Sequence, residues 1–507
     1  MITTPLKSSK LQSEDTALSA NGKDLHPVFS SLKKEETFIN HISELTSPNV
    51  IQHEILLDEM LSRFGEVDYR ERAGLDNGEK LSRKIYVVIT VDEVLLIARV
   101  ERWQMCIKHE KVYIFNGAFW KVCPDGDFQT FLVQAACRMG VPDIDARYHK
   151  FGDELYKQFI ASANLPEPEQ QPEQVLINLL NGTFVFTPQK QFIKKPDAKD
   201  FLTYQLSFVY KPDATAPTFE KYLNEVLPDE YLRKILFEFL GYIFIHPSTL
   251  KLEKALLLVG GGSNGKSVLF DIVLALLGYE NVLSHSLQNL TNNKTGYHRA
   301  DLADKLLNYC SELSGISDIS IFKALVSNEN VEARQIYGKP FNFINRCKLM
   351  FNCNELPSEV EHTHAFFRRF FIIPFDVTIP EDKQDKHLAQ KIIKSELPGV
   401  FNLILKGLQR LISQQGFTHS DKAETALKDF REQSDSVQMF INEENYQKSN
   451  EKSVYLKELF NEYRSYCTDN GYRPVAMRKF SERLRKIGFE IEKKMNGRII
   501  YIEKKVF

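Results

Sequence analysis

Residues 255–267 read ALLLVGGGSNGKS, an apolar run followed by glycines at 260, 261, 262 and 265 and then by Lys266 and Ser267. The spacing Gly260-x-x-x-x-Gly265-Lys266-Ser267 matters because a triphosphate is met by backbone N–H groups, and only residues without a Cβ let the chain wrap that closely. Gly260, Gly261, Gly262, Ser263, Asn264 and Gly265 would cradle the phosphates, Lys266 would lie near the β- and γ-groups, and Ser267 would place its hydroxyl on Mg2+. Val268 continues into an apolar helix, VLFDIVLALLG, whose positive end faces the anion. ATP and Mg2+ are the ligands this pattern predicts. It names no reaction.

Lys305 to Phe375 carries the groups that hydrolysis would need. LLNYCSEL predicts a strand ending near Glu312, and KLMFNCNELP another ending near Asn354; in a parallel sheet both ends project beside the loop. A carboxylate there can orient water and support Mg2+ together with Ser267, and an Asn amide can hold the water or the γ-phosphate in line. Between these strands, VEARQIY and FNFIN alternate around Gly338-Lys339-Pro340 as a long hairpin with a basic tip. Lys339, with Arg334 and Lys323, is therefore a candidate contact for a nucleic-acid phosphate backbone. Arg368 and Arg369 precede a further apolar strand, where an arginine donated to a neighbouring subunit's γ-phosphate would stabilise the transition state. A local carboxylate partner is the plainer alternative for that pair.

These groups need a scaffold, and 507 residues provide for about three domains. An apolar content of 43% is ample for packed cores. Ile85 to Val100, one of the longest apolar stretches, is interrupted by Asp92, Glu93 and Arg99, which argues against a membrane span. Seven scattered cysteines without a C-x-x-C pair fit a reducing compartment. KVYIFNGAFWKV predicts a hairpin around Asn116-Gly117, FQTFLVQAACRMG a helix, and the segment from Thr218 to Ile245 a helical stretch broken by Pro228.

The net charge of −2 conceals a basic end: from Gly471 to Phe507 eleven Lys or Arg face four Glu. Two helices and a hairpin turned at Asn496-Gly497 suit a winged helix-turn-helix, with Arg478, Lys479, Arg483, Arg485 and Lys486 as DNA phosphate contacts. Two D-x-D triplets, Asp125-Gly-Asp127 and Asp143-Ile-Asp145, follow prolines rather than strands and make poor polymerase metal sites. EHTH at 361–364 reads as a surface loop.

The order GGGSNGKS, CSEL, FKALVSNENVEARQIYGKPF, MFNCNELP, FFRRFFIIPF resembles a superfamily 3 helicase of the phage/plasmid primase-helicase type, related to the poxvirus uncoating-type ATPases. The resemblance covers roughly residues 95 to 505. It implies an AAA+-like core and a homo-oligomeric ring, a hexamer. It also implies ATP-driven 3′ to 5′ translocation on single-stranded DNA, with unwinding of forked DNA, in the cytoplasm of a bacterial host beside a separate primase or replication initiator. Under it Lys266 and Ser267 take the phosphate and Mg2+ roles, Glu312 the acidic strand end, Asn354 the sensor and Lys339 the pore hairpin. Arg369 fits the finger, since Phe375 closes the segment as the family's R-x-x-x-x-x-F ending does, and Arg368 stands as the alternative. One departure is Ser311-Glu312 in place of the family's Asp-Glu pair, which leaves one carboxylate near the metal.

The expected class is α/β and multidomain: a P-loop AAA+-like central parallel-sheet domain, a mixed α/β N-terminal domain and a C-terminal winged helix-turn-helix. Expected boundaries are a flexible extension over 1–45, the N-terminal domain over 46–215, a helical collar over 216–250, the ATPase over 251–425 and the winged helix over 435–507. Alternatives are a replication initiator that binds an origin with little unwinding, a primase-helicase with weak priming, and a small-substrate kinase.

Overall fold

The computed structural model describes residues 53–505 except 77, 168–173, 312–314, 337, 355–363 and 473. The expected extension over 1–45, Glu312 and residues 361–363 of EHTH lie outside the described residues. The chain forms two compact units, one ending at Lys211 and one starting at Pro212.

In the first unit, the helices Arg83–Val100, Asp125–Arg138 and His149–Ser162 pack around Phe128, Phe131, Phe151 and Phe159. The expected hairpin forms, with Lys111–Phe115 antiparallel to Trp120–Val122. A second antiparallel sheet, Val175–Leu179, Gly182–Phe186 and Gln191–Lys194, is tied to the first by Asn178, whose Nδ2 donates to Ala118 O (2.9 Å). Asp125 and Asp127 sit in the first turn of a helix, where their charge favours the dipole. Asp125 is engaged by Lys111 Nζ (2.6 Å) and Tyr156 OH (2.9 Å). No described helix is long and apolar enough to cross a membrane.

The second unit centres on a five-stranded parallel sheet. Its spatial order is Phe370–Pro374, Ala255–Val259, Lys348–Cys353, Leu307–Cys310, Val282–Leu283. Numbered along the chain, the strands lie 5-1-4-3-2. Buried on both faces, they read as the near-continuous apolar runs seen in the sequence. Pro228 separates the helices Pro217–Val226 and Glu230–Tyr242 as expected. The second of these packs on the long helix Leu397–Gln414, where Arg410 Nε donates to the fully buried Glu238 (2.5 Å), which also accepts from Thr418 N (2.8 Å). Asn330–Arg334 and Pro340–Ile344 form the expected antiparallel hairpin, with Arg334 opposite Pro340.

The C-terminal segment runs helix Ser436–Glu443, strand Tyr446–Tyr455, helices Leu456–Asp469 and Met477–Ile487, and strands Ile491–Lys494 and Gly497–Lys504. The last strand lies in the middle of the three-stranded sheet. Lys494 pairs with Gly497, so the turn is Met495-Asn496, one residue earlier than expected. Gly497 takes φ +138° as the first residue of its strand.

Lys348 opens a central strand and is 4% exposed; its Nζ has no hydrogen-bond partner among the described residues and lies 4.0 Å from the Tyr242 ring centroid. Burial pulls its pKa down to about 7. The unfolded chain, with an ordinary lysine near 10.5, therefore binds more protons between those values, and this residue's contribution to stability rises with pH across that window. Lys348→Met should be more stable than wild type at pH 7, with the difference shrinking toward pH 10.5 in denaturant titrations. A pH-independent difference would show that the ammonium is not the cause.

Candidate functional site: a glycine loop at the end of a parallel sheet

The loop leaves the Ala255–Val259 strand between the strands Phe370–Pro374 and Lys348–Cys353. Three backbone bonds hold it: Gly260 N–H to Cys353 O (3.1 Å), Phe375 N–H to Val259 O (2.7 Å), and Ile379 N–H to Ser263 O (2.8 Å). Gly265 has φ +85°, and a Cβ there would stand 2.8 Å from Val226 and 3.0 Å from Tyr222. A Cβ at Gly260 would meet Phe375 O at 2.3 Å. Gly261 and Gly262, by contrast, would meet nothing within 4 Å among the described residues. The outer glycines seat the loop and the inner ones leave it open.

Lys266 is 6% exposed and lies on the loop's inner side: its Nζ donates to Gly260 O (2.5 Å) and Asn264 Oδ1 (3.1 Å). Burial lowers its pKa. Asn264 is a brace, its Nδ2 donating to Gly261 O and to Phe375 O (3.3 Å). Tyr222, 43 residues upstream of Gly265, donates its hydroxyl to Gly265 O (2.7 Å), and burial raises its pKa. Ser267 is exposed in the first turn of the helix Lys266–Leu277. Open glycines, a buried ammonium among loop oxygens, a helix N-terminus and an exposed hydroxyl fit a nucleotide polyphosphate with its Mg2+.

Asn354 is exposed one residue beyond the strand adjoining the loop strand, where Cys353 pairs with Val259. Burial raises the Cys353 thiol to about 12, which keeps it protonated beside Lys266. The strand Leu307–Cys310 lies one place further on, roughly 10 Å from the loop strand at about 4.8 Å per strand. Ser311 is exposed at its end, and the residue that would act there, Glu312, lies outside the described residues. Tyr309 OH donates to Asn352 Oδ1 (2.9 Å), locking these two strands together in the core.

The two arginines differ sharply. Arg369 is 7% exposed; its guanidinium donates to Ser327 Oγ (2.9 and 3.2 Å) and Ala365 O (2.5 Å) and lies 3.4 Å from Glu253. Arg368 reaches solvent, its guanidinium pairing with the rim carboxylate of Glu253 (3.1 Å), a local carboxylate partner, and its backbone O accepting from Lys254 Nζ (2.5 Å). Both stand at the N-terminal end of their strand, opposite the loop.

Of the expected nucleic-acid contacts, Lys339 and Arg334 are exposed at the hairpin tip, where Arg334 Nε donates to Gly338 O (3.0 Å). Lys323 is half-buried on the helix Ile319–Val326. On the helix Met477–Ile487, Arg478, Lys479, Arg485 and Lys486 are exposed, Arg478 pairing with Glu482 (3.0 Å). Arg483 differs: its Nη1 donates to Asp435 (2.9 Å), the N-cap of Ser436–Glu443, and both side chains are mostly buried. It is a structural tie within the module.

Three family models match the chain. Residues 93–228 match one described as D5 N terminal like, residues 432–505 one described as Poxvirus D5 protein-like, and residues 258–369 a family of unknown function, DUF5906. Along the sequence, the two D5 matches precede and follow the strands of the glycine-loop sheet. They support a D5-like primase-helicase kinship. This kinship suggests a replication protein with an NTPase or helicase type of activity. No curated protein shows a significant match. Similar solved structures include the A form apo structure of NrS-1 C terminal region-CTR, at 12% identity and TM-score 0.43, covering 84% of this chain and 100% of that one. The apo structure of NrS-1 C terminal region (305-718) is similar at 14% identity and TM-score 0.43, covering 83% and 99%.

Arg369→Ala should cost about 1–3 kcal/mol, because it strips the partners from Ser327 and Ala365 O inside the core. Arg368→Ala should stay within about 0.5 kcal/mol of wild type. Chemical denaturation of the two variants checks this, and equal stabilities would contradict the buried role of Arg369.

Proposed function

We propose that this protein is an ATP-dependent DNA helicase of a D5-like replication machinery, working as a ring of identical subunits with an AAA+-like core and a winged-helix C-terminal module. The observation that carries this reading is the placement of Arg368. It stands at the opposite end of a five-residue strand from the loop, about 17 Å away at roughly 3.3 Å per residue. Such an arginine cannot serve its own loop, yet is exposed to serve another copy's. Of the two candidates we therefore assign the finger to Arg368, with Arg369 as the residue that positions it.

In the proposed cycle ATP binds between subunits. Lys266 leaves its loop oxygens for the β- and γ-phosphates, and Ser267 offers its hydroxyl to Mg2+, which when bound neutralises phosphate charge. Asn354 holds the attacking water or the γ-phosphate in line, and Glu312 orients that water. Arg368 of the adjacent subunit stabilises the charge that develops on the γ-phosphate. Hydrolysis removes the group both subunits share, so their interface relaxes. The hairpin bearing Lys339 and Arg334 then moves with a DNA phosphate, and because phosphate contacts read no bases, motion along single-stranded DNA is independent of sequence. Arg478, Lys479, Arg485 and Lys486 supply further phosphate contacts at a fork. The proposed polarity is 3′ to 5′.

Lys266→Ala and Arg368→Ala should each lower DNA-stimulated ATP hydrolysis by roughly 1,000-fold or more. Mixed together they should recover activity well above either alone, since some interfaces then pair an intact loop with an intact arginine; a mixture as inactive as its components would sink the shared site. On a forked duplex, Lys339→Ala should keep basal hydrolysis and lose unwinding, and normal strand separation by that variant would remove the hairpin from the motor.

A further inference from the structure

Beyond the edge strand Val282–Leu283, three metal-ligating side chains meet that the nucleotide chemistry does not use. The donor atoms of His285, His298 and Asp301 all lie within 4.8 Å of one another. His285 Nε2 is 3.0 Å from Asp301 Oδ2, and the two imidazoles stand edge to face with centroids 4.7 Å apart. The histidines are half-buried and Asp301 is exposed, so the cluster opens to solvent on one side.

Its members are held from outside. Asn308, buried in the adjoining strand, donates Nδ2 to His285 O (2.9 Å) and accepts from His285 N (2.9 Å), fixing the backbone that carries the ring. His298 lies in the short helix Tyr297–Ala300 beside Arg299, which is 5% exposed. Arg299 donates to Glu332 O in the hairpin (2.8 Å) and to Asn292 O (2.5 Å). His298 and Asp301 therefore flank the residue that anchors the hairpin's first strand.

We propose that His285, His298 and Asp301 form a binding site for one divalent ion of the Zn2+ class, which pins the Tyr297–Ala300 turn to the sheet edge and stiffens the hairpin base. Two imidazoles and a carboxylate suit Zn2+ or Co2+ and disfavour Mg2+, which takes oxygen ligands. Tetrahedral bonds of about 2.0–2.1 Å put ligand atoms roughly 3.4 Å apart, so the trio closes on such an ion with movements of about 1 Å. The open side leaves the fourth position to water.

The test uses full-length protein freed of metal by a chelator and titrated with Co2+, whose visible bands report nitrogen and oxygen ligation. Wild type should take up one equivalent per chain at this site. His285→Ala, His298→Ala and Asp301→Asn should each weaken that uptake by more than about 10-fold. Lys266→Ala should bind Co2+ as wild type does, and retained ADP binding by the cluster variants shows that they fold. Metal should also slow hydrogen exchange across Asn330–Arg334 in wild type and leave the His285→Ala variant unchanged. Absence of stoichiometric uptake, or uptake that survives the double variant His285→Ala/His298→Ala, overturns the site and leaves an ordinary His–Asp hydrogen bond.

Discussion

The constraint on which the site depends is the close seat of the glycine loop. Gly260 lies against Phe375 O and Gly265 against Tyr222 and Val226, at separations that no side chain fits. The loop can keep its shape only while elements far away in sequence press on it from two directions. The helix Pro217–Val226 does so because its own N-terminus is capped across 177 and 178 residues by Glu396, which accepts from Thr218 N (3.1 Å) and Phe219 N (2.9 Å). Glu396 immediately precedes Leu397–Gln414, itself clamped by Arg410 on the buried Glu238. Loop geometry is thus set by a relay of caps and ion pairs that spans most of the unit.

Local features of the sequence disclosed the parts of this arrangement that rest on local physics. The glycine spacing, the apolar runs of the parallel strands and the alternation around Gly338 each carry their meaning within a dozen residues, and each forms the expected element. What escaped depends on partners brought together by folding. Arg369 and Arg368 are neighbours with the same chemistry, and Ser327 and Glu253, from two distant stretches, help decide which one is buried. Tyr222 gives no sign upstream that it will grip Gly265. Arg483 looked like its basic neighbours until Asp435 claimed it.

The C-terminal module shows a different limit. The strand Tyr446–Tyr455 is polar and largely exposed, so it has no apolar alternation to announce it. It forms because Gly497–Lys504 offers it a backbone ladder, interrupted by a bulge between Lys448 and Ser453. The hairpin turn at Met495-Asn496 rather than Asn496-Gly497 follows from Gly497 taking a backbone conformation closed to other residues while already paired with Lys494.

Arg369 also joins two parts that the proposed motor needs to coordinate. Its guanidinium grips Ser327, the residue ending the helix just before the hairpin, while its backbone begins the strand beside Arg368. In the proposed ring, tension on the DNA-holding tip would therefore be transmitted through a single stiff joint to the edge that touches the adjacent subunit. Nucleic-acid load and intersubunit contact would share one mechanical linkage.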